Sequence, residues 1–259
     1  MSTPETPRTG SLQRLHPLTK LAAALLLVVA AYTLPGIWPP LAILLLVLAL
    51  ALYGGVARSV TRTMLQIIAP IVLSLFLIQG ILFPPIGATP LPLGPITLTV
   101  EGLVFATTQA LRLATLSATV LLLLALTHAS DLVHALTERG LPRSIGYILL
   151  VSLQVVPDMS ARASAILDAQ RARGLETQGG LRPLFAIVPL LGPLVVGALV
   201  DVQERAMAIE SRAYTAPGPK TSLRQLTDTP AQVVARTLLL LAVLSLIGYR
   251  SWQAFGGQL

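Results

Sequence analysis

Two short stretches carry arginines in similar settings, each at the end of a long Ala-rich helical pattern. They read Gln170-Arg171-Ala172-Arg173-Gly174 and Glu210-Ser211-Arg212-Ala213-Tyr214. An arginine is always charged and carries a planar fork of N–H donors, so at a helix end it suits a groove lined by carboxylates and carbonyls. One such arginine alone is also explained by the helix dipole. Because there are two matched cases, we interpret Ala172-Arg173-Gly174 and Ser211-Arg212-Ala213 as docking sites for other proteins.

His128, Asp131 and His134 follow one another at spacing three and are the candidate metal-ligand set of this sequence. Successive steps of three drift around a helix and spread the ligands apart. The alternative is that Ser130 or Asp131 caps a helix that begins just after residue 126. We favour the capping explanation and predict neither a metal site nor a cofactor.

The sequence lacks the motifs of an ATP-binding or hydrolytic protein. No Gly-x-x-x-x-Gly-Lys-Ser/Thr loop occurs, so the chain has no phosphate cradle of that kind. No paired aspartates at helical spacing stand in an apolar stretch to hold Mg²⁺ and pyrophosphate, and no arrangement of Ser and His suggests a hydrolase. We therefore predict a protein without catalytic activity. If ATP drives the process, another subunit binds it.

The composition is that of a polytopic membrane protein with an all-α fold. The 259 residues are 54% apolar and 11% charged, whereas soluble domains carry about 25% charge. The chain has no cysteine, which excludes disulfides and thiolate chemistry. The net charge of +7 does not indicate nucleic-acid binding, because the cations flank apolar runs. A lipid bilayer with anionic headgroups accounts for this charge.

Five apolar stretches are predicted to cross a bilayer, and the third and fourth are near the roughly 20 residues that a spanning helix needs. Residues 1–20 before them predict a disordered cytoplasmic tail, and a signal peptide with its apolar core at 21–31 is the alternative. In the Pro- and Gly-rich loop before the fourth span, Ile96, Leu98 and Val100 alternate with threonines as in a short strand. The predicted spans are 21–34, 41–57, 64–83, 102–126 and 233–252.

The placement of Lys and Arg predicts a cytoplasmic N-terminus. The segments before the first span, between the second and third spans and after the fourth span are basic, whereas the two intervening turns contain no Lys or Arg. Positive residues flank membrane spans mostly on the cytoplasmic side. We expect a multi-pass protein of the cell membrane.

Two further apolar stretches, 141–157 and 183–200, are nearly long enough to cross a bilayer. If both crossed, the loop between them would carry four arginines on the outer side, against the positive-inside rule. We predict instead two long helices, 142–173 and about 184–213, that lie along or under the inner leaflet. The predicted domains are a tail (1–20), a four-helix membrane region (21–126), a cytoplasmic coupling-helix region (127–220) and a C-terminal transmembrane helix (221–259).

Arg112 lies about halfway along the fourth predicted span. Charge at membrane depth is costly and is a functional-site hypothesis by default. Pairing of Arg112 with Glu101, or with carbonyls of the loop that precedes the span, is an equal alternative.

Several stretches together resemble one family. Ala172-Arg173-Gly174 is similar to the first Ala-Arg-Gly motif of the transmembrane (T) component of energy-coupling-factor (ECF) importers, the cobalt/biotin-type permeases, and Ser211-Arg212-Ala213 resembles a degenerate second copy. Leu15-His16-Pro17-Leu18-Thr19-Lys20-Leu21 resembles the family's N-terminal Asp-Pro-Arg-Thr-Lys-Leu, with His16 for Asp and Leu18 for Arg. Thr99-Val100-Glu101-Gly102-Leu103, with Arg112, resembles the start of the family's fourth membrane helix.

The resemblance implies a scaffold subunit that works with partners. It implies two ATP-binding cassette ATPase subunits, each holding one Arg-tipped helix, and a small membrane substrate-capture (S) protein that takes the vitamin or transition-metal ion. It also implies that the two long helices cross as an X. A self-contained carrier or channel is the alternative, and an integral membrane enzyme is a further one. Both alternatives predict activity without partners.

Overall fold

The computed structural model describes residues 15–79, 90–93, 96–175, 187–213, 218 and 228–256. These residues form eight helices and one short hairpin, which confirms the predicted all-α fold. Most of the predicted tail, residues 1–14, lies outside the described residues. The elements are α1 (Pro17–Thr33), α2 (Trp38–Tyr53), α3 (Ala57–Leu77), β1 (Pro90–Leu93), β2 (Ile96–Thr99), α4 (Val100–Leu126), α5 (Ala129–Glu138), α6 (Arg143–Ala172), α7 (Ile187–Ser211) and α8 (Pro230–Gly256).

The chain divides into two units. The first comprises residues 1–139 and 226–259, with α1 to α5, the hairpin and α8. The second comprises residues 140–225, with α6 and α7. The chain therefore leaves the first unit after Arg139 and returns to it at Leu226.

Several helices are suited to a membrane by length and composition. Among the described residues, α3, α4, α6 and α8 are long and apolar enough to cross a bilayer, whereas α1 and α2 are apolar but shorter. These helices establish a multi-pass membrane protein. The predicted long helix at 142–173 is found as α6, and the second predicted long helix is found as α7 over residues 187–211.

The core of the first unit lies between α2, α3 and α4. Val47, Ala51 and Ala118 are completely buried in it. Small side chains such as alanine let helix backbones approach closely, which is the usual packing of membrane helices. The buried members of this core are Val47, Ala51, Val60, Met64, Ile68, Ala114, Ala118 and Leu122.

Polar contacts fix α1 against α4 in an antiparallel register. The Lys20 ammonium at the start of α1 donates to the carbonyl of Leu126 at the end of α4, at 2.8 Å. At the opposite end of the pair, the Arg112 guanidinium donates to the carbonyl of Leu34, at 3.3 Å. The Thr115 hydroxyl donates to the carbonyl of Pro40 at the start of α2, at 3.0 Å. The first two donors satisfy carbonyls at the C-terminal ends of α4 and α1, which have no partner within their helices.

Side chains cap two helices at their N-termini, and the one cap predicted from the sequence is not found. His16 caps α1, because its Nδ1 accepts from the N–H of Leu18 at 3.3 Å. Thr99 caps α4 by accepting from the N–H of Gly102 at 3.3 Å. For α5 the prediction of a Ser130 or Asp131 cap is wrong: the helix begins at Ala129, and its N-cap is His128, which makes no capping bond with its side chain.

Candidate functional site

The first arginine stretch closes α6 with a complete hydrogen-bonded helix terminus. The N–H of Gly174 donates to the carbonyl of Arg171, and the N–H of Leu175 donates to the carbonyl of Gln170, both at 3.0 Å. These two bonds define the Schellman motif, which requires a left-handed residue after the helix. Gly174 is that residue, with φ +91°. Arg173 is the C-cap between helix and glycine.

The second stretch closes α7 in the same way as far as the structure describes it. The N–H of Ala213 donates to the carbonyl of Glu210, at 3.0 Å, which matches the bond made by Gly174. Ala213 is left-handed, with φ +52°, although it is not a glycine. Ser211 is the last helical residue, and Arg212 stands between it and Ala213, as Arg173 stands between Ala172 and Gly174. The two ends therefore place their central arginines alike.

The two central arginines are open to a partner. Ala172, Arg173, Gly174, Ser211, Arg212 and Ala213 are all exposed. Arg171 pairs with Asp168, at 3.1 Å. Within the described parts of the chain, Arg173 and Arg212 form no ion pair. Each therefore offers a partner an exposed, charged guanidinium.

Two reciprocal ion pairs join α6 to α7. The Arg162 guanidinium pairs with the Asp201 carboxylate at 3.0 Å, and Arg205 pairs with Asp158 at 3.9 Å. The side chain of Arg162 lies over Gly197, where a Cβ would stand 2.8 Å from its Nη1. Because the earlier residue on one helix meets the later residue on the other, the helices are antiparallel where they meet.

The contact between α6 and α7 lies at a matched distance from the two motif arginines. Arg162 precedes Arg173 by 11 residues, and Asp201 precedes Arg212 by 11 residues. At 1.5 Å rise per residue, each arm extends about 16 Å beyond the Arg162–Asp201 pair. The antiparallel arrangement directs the two arms away from each other, so the arginines lie at opposite ends of the pair of helices.

The sequence carries a signal for this contact. Asp158 and Arg162 on α6 are four residues apart, and Asp201 and Arg205 on α7 repeat that spacing. Residues four apart lie on one helix face, so each helix presents an acid and a base side by side. A polar cleft of about 430 Å³ lies at this contact, lined by Asp158, Ala161, Arg162, Asp201, Glu204 and Arg205.

Comparison with known proteins decides the family. The family model CbiQ, described as cobalt transport protein, matches residues 9–223. The chain belongs to the CbiQ family. The match includes both arginine stretches and the helices from α1 to α7.

Curated relatives agree with the CbiQ assignment over most of their length. The energy-coupling factor transporter transmembrane protein EcfT of Thermosediminibacter oceani is 28% identical over 88% of this chain and 89% of its own length. The protein of the same name from Heliobacterium modesticaldum is 30% identical, with 85% and 86% covered. That from Thermanaerovibrio acidaminovorans is 27% identical, with 93% of each covered. The predicted resemblance to the ECF T component is confirmed.

Arg112 of this CbiQ-family chain has a structural partner that the sequence did not reveal. Its guanidinium donates to the carbonyl of Leu34, in the turn that follows α1, and lies 5.9 Å from the ring centre of Tyr32. The guanidinium of Arg250 donates to the neighbouring carbonyl of Thr33, at 3.4 Å. Cations near a helix C-terminus are favoured by the helix dipole. Arg112 and Arg250 therefore both stabilise the end of α1.

The candidate metal residues occupy ordinary places in α5. His128 is the N-cap, and Asp131 is buried in the first turn, where its N–H donates to the carbonyl of His128 at 3.0 Å. In the described residues no three His, Asp or Glu side chains are grouped so that they could hold a metal ion.

Proposed function

We propose that this chain is the transmembrane scaffold subunit of an ECF-type importer. In this role it transmits the motion of two ATP-binding cassette ATPases to a separate membrane protein that captures a vitamin or a transition-metal ion. The CbiQ family match and the three transmembrane relatives named for ECF transporters support the transporter role. The chain itself binds neither ATP nor cargo and catalyses no reaction.

The observation that carries the coupling role is the matched pair of arginine ends on α6 and α7. Each end presents one exposed central guanidinium, that of Arg173 or Arg212, which forms no ion pair within the described residues. Two ATPases would meet two similar arginine ends, one at each end of the antiparallel pair. A carboxylate-lined groove on each ATPase is the complementary surface, because charge-assisted bonds to a guanidinium fork are strong and directional.

ATP binding is coupled to movement of α6 and α7 because the arginine ends contact the two arrangements of the ATPases differently. Binding of ATP shifts the ATPases between two arrangements, and the tips follow whichever arrangement holds them better. Since the two ion pairs tie α6 to α7, a movement of one tip also moves the other helix. The remaining helices α1 to α4 and α8 form the membrane body, with the N-terminus and the region 127–220 in the cytoplasm.

The test is charge reversal at both tips. Arg173→Glu with Arg212→Glu should abolish co-purification of the ATPases and transport in cells, while the protein still inserts in the membrane. Truncating one partner of a desolvated, hydrogen-bonded charge pair costs roughly 2 to 5 kcal/mol, which is at least about thirtyfold in affinity. Arg171→Ala is the matched control, because Arg171 already pairs with Asp168 on its own helix. If the double reversal leaves assembly and transport unchanged, the coupling role is wrong.

A further inference from the structure

A cluster of charged side chains lies at the place where the chain passes between its two units. Arg139, the C-cap of α5, is the last residue of the first unit before residues 140–225 begin. Asp228 is the third residue after the chain returns at Leu226. The Arg139 Nη2 and the Asp228 Oδ2 are 2.7 Å apart. One ion pair thus ties the segment that ends at Arg139 to the segment that begins at Asp228.

A second arginine holds the acidic partner in place. Arg236, in the second turn of α8, is only 7% exposed, and its Nη1 and Nη2 are each 3.4 Å from the same Oδ2 of Asp228. A buried guanidinium requires a carboxylate nearby, because an uncompensated buried charge is strongly destabilising. Arg236 therefore anchors Asp228 to α8. From that position Asp228 forms its ion pair with Arg139.

The start of α1 joins the same cluster. The backbone N–H of His16 donates to the Oε1 of Gln232 in α8, at 2.9 Å, and His16 is 3% exposed. Burial alone would raise the pKa of Asp228, but the hydrogen bond from Arg139 and the charges of His16 and Arg236 hold that pKa below its ordinary value of 3.8. The carboxylate is thus ionised and paired at neutral pH. The cluster connects α5, α8 and α1.

We propose that Arg139, Asp228 and Arg236 form a clamp, which holds the segment that ends at Arg139 against the segment that begins at Asp228, so that movement of α6 and α7 reaches α1 and α8. The proposal rests on the coupling role proposed above. Without the ion pair, Arg139 and Asp228 could move apart when α6 and α7 move. Tied to each other and to Arg236, they move together with α8. The three residues are positioning residues and contact no substrate.

The variant that tests the clamp is Arg139→Gln. It removes the tie between the two segments and leaves Asp228 paired with Arg236, so the buried guanidinium keeps its partner. Arg139→Lys retains the charge and should retain function. The matched control is Arg58→Gln, which removes an exposed arginine at the start of α3, far along the chain from the clamp. All variants are studied in the complete complex with its ATPases, in nanodiscs.

Two spin-label pairs in the cysteine-free chain give the readout. The first pair, Glu138→Cys with Thr229→Cys, flanks the clamp at two exposed positions. The second pair, Trp38→Cys with Trp252→Cys, lies at the exposed ends of α2 and α8. For the first pair we expect one narrow distribution of label-to-label distances, both with and without ATP and vanadate. For the second pair we expect the mean distance to shift when ATP and vanadate are added. Arg139→Gln should widen the first distribution about twofold and reduce the second shift to about half or less.

The outcomes separate the clamp from the coupling role. If ATPases do not co-purify with the unchanged chain, or if ATP does not shift the second label pair in it, the proposed function is wrong. If both hold, and Arg139→Gln leaves the width of the first distribution and the size of the second shift as in the Arg58→Gln control, the clamp alone is wrong. A protein in which Arg139 merely supports folding would show lower yield with an unchanged ATP-dependent shift, which also overturns the clamp.

Discussion

Gly174 and Ala213 occupy the same backbone position, one residue after the arginine that ends each long helix, and both are left-handed, with φ +91° and +52°. Glycine adopts this conformation readily, whereas a Cβ makes it costly. The second end therefore keeps the shape of the first at an energetic cost. Alanine in place of glycine weakens the terminus, although the N–H of Ala213 still donates to the carbonyl of Glu210.

This relationship predicts opposite effects of two substitutions. Ala213→Gly should stabilise the end of α7 by about 1 kcal/mol, and Gly174→Ala should destabilise the end of α6 by a similar amount. Hydrogen exchange of the last helical amides measures both effects. Gly248→Ala is the control, since Gly248 lies inside α8 with nothing near a new Cβ, and alanine is the better helix former there. Slower exchange in Gly174→Ala would contradict the prediction.

Arg173 and Arg212 should contribute unequally to ATPase binding. Arg173→Ala should weaken ATPase binding by roughly 2 to 5 kcal/mol, and Arg212→Ala should weaken it by less, because Ala213 makes the second terminus less well held. Binding of purified ATPases to each variant in nanodiscs gives the two affinities. Adding Ala213→Gly to the otherwise unchanged chain should tighten binding. A larger loss for Arg212→Ala than for Arg173→Ala would contradict this order.

The membrane disposition of α6 is open to a labelling test. We predict that Trp38→Cys, in a predicted external turn, reacts with an impermeant thiol reagent in intact cells. Arg58→Cys and Arg171→Cys should react only after lysis. All three positions are exposed, and the chain has no other cysteine. Helix α6 is long and apolar enough to cross a bilayer. Labelling of position 171 in intact cells would therefore contradict the five-span topology and support one with seven spans.

Acid should destabilise the cluster around His16. Burial lowers the pKa of His16 below its ordinary value of 6.5, and Arg236 and Arg139 add to this effect, against Asp228 and Glu138. A group whose pKa is lowered on folding stabilises the protein above its unfolded pKa and loses that contribution as pH falls. Thermal unfolding should therefore show lower stability at pH 5.5 than at pH 7.5. His16→Asn, which keeps an N-cap acceptor, should remove most of this difference, and an unchanged difference would exclude His16 as its source.

The isolated chain should be inert. Purified without partners, it should neither hydrolyse ATP nor retain Co²⁺, because it lacks a phosphate loop and a convergent set of metal ligands in its described part. Equilibrium dialysis with Co²⁺ and an ATPase assay check this directly. Stoichiometric Co²⁺ that is lost on replacing His128 and His134 would favour a self-contained carrier instead.

Local sequence patterns predict the long helices well. They do not predict contacts between residues that are far apart in the sequence. Helix α6 was predicted within one residue at each end, because Pro142 and Gly174 mark its limits in the sequence. Strand β2 was visible as an alternation, whereas β1 is Pro-rich and gave no strand pattern. The partner of Arg112 is a backbone carbonyl, which every residue has, so no sequence pattern could single out Leu34.

The clamp could not be predicted from the sequence either, because its residues are far apart along the chain. Arg139 and Asp228 are 89 residues apart, and each looks like an ordinary charged residue at a helix end. Only the return of the chain to the first unit places them together. The six predicted docking residues are at exposed helix ends, as the sequence indicated, and their role in binding ATPases stays a prediction.

The register of α1 against α4 gives a prediction for the lipid thickness that suits this pair of helices. Lys20 lies opposite Leu126 and Leu34 lies opposite Arg112, so cations mark both rims of a band 14 residues long on each helix. At 1.5 Å per residue this band is about 21 Å high, against about 30 Å for an ordinary hydrocarbon core. Acyl chains beside α1 must shorten or tilt to match it. Bilayers of short-chain lipids should therefore hold this protein with the least deformation.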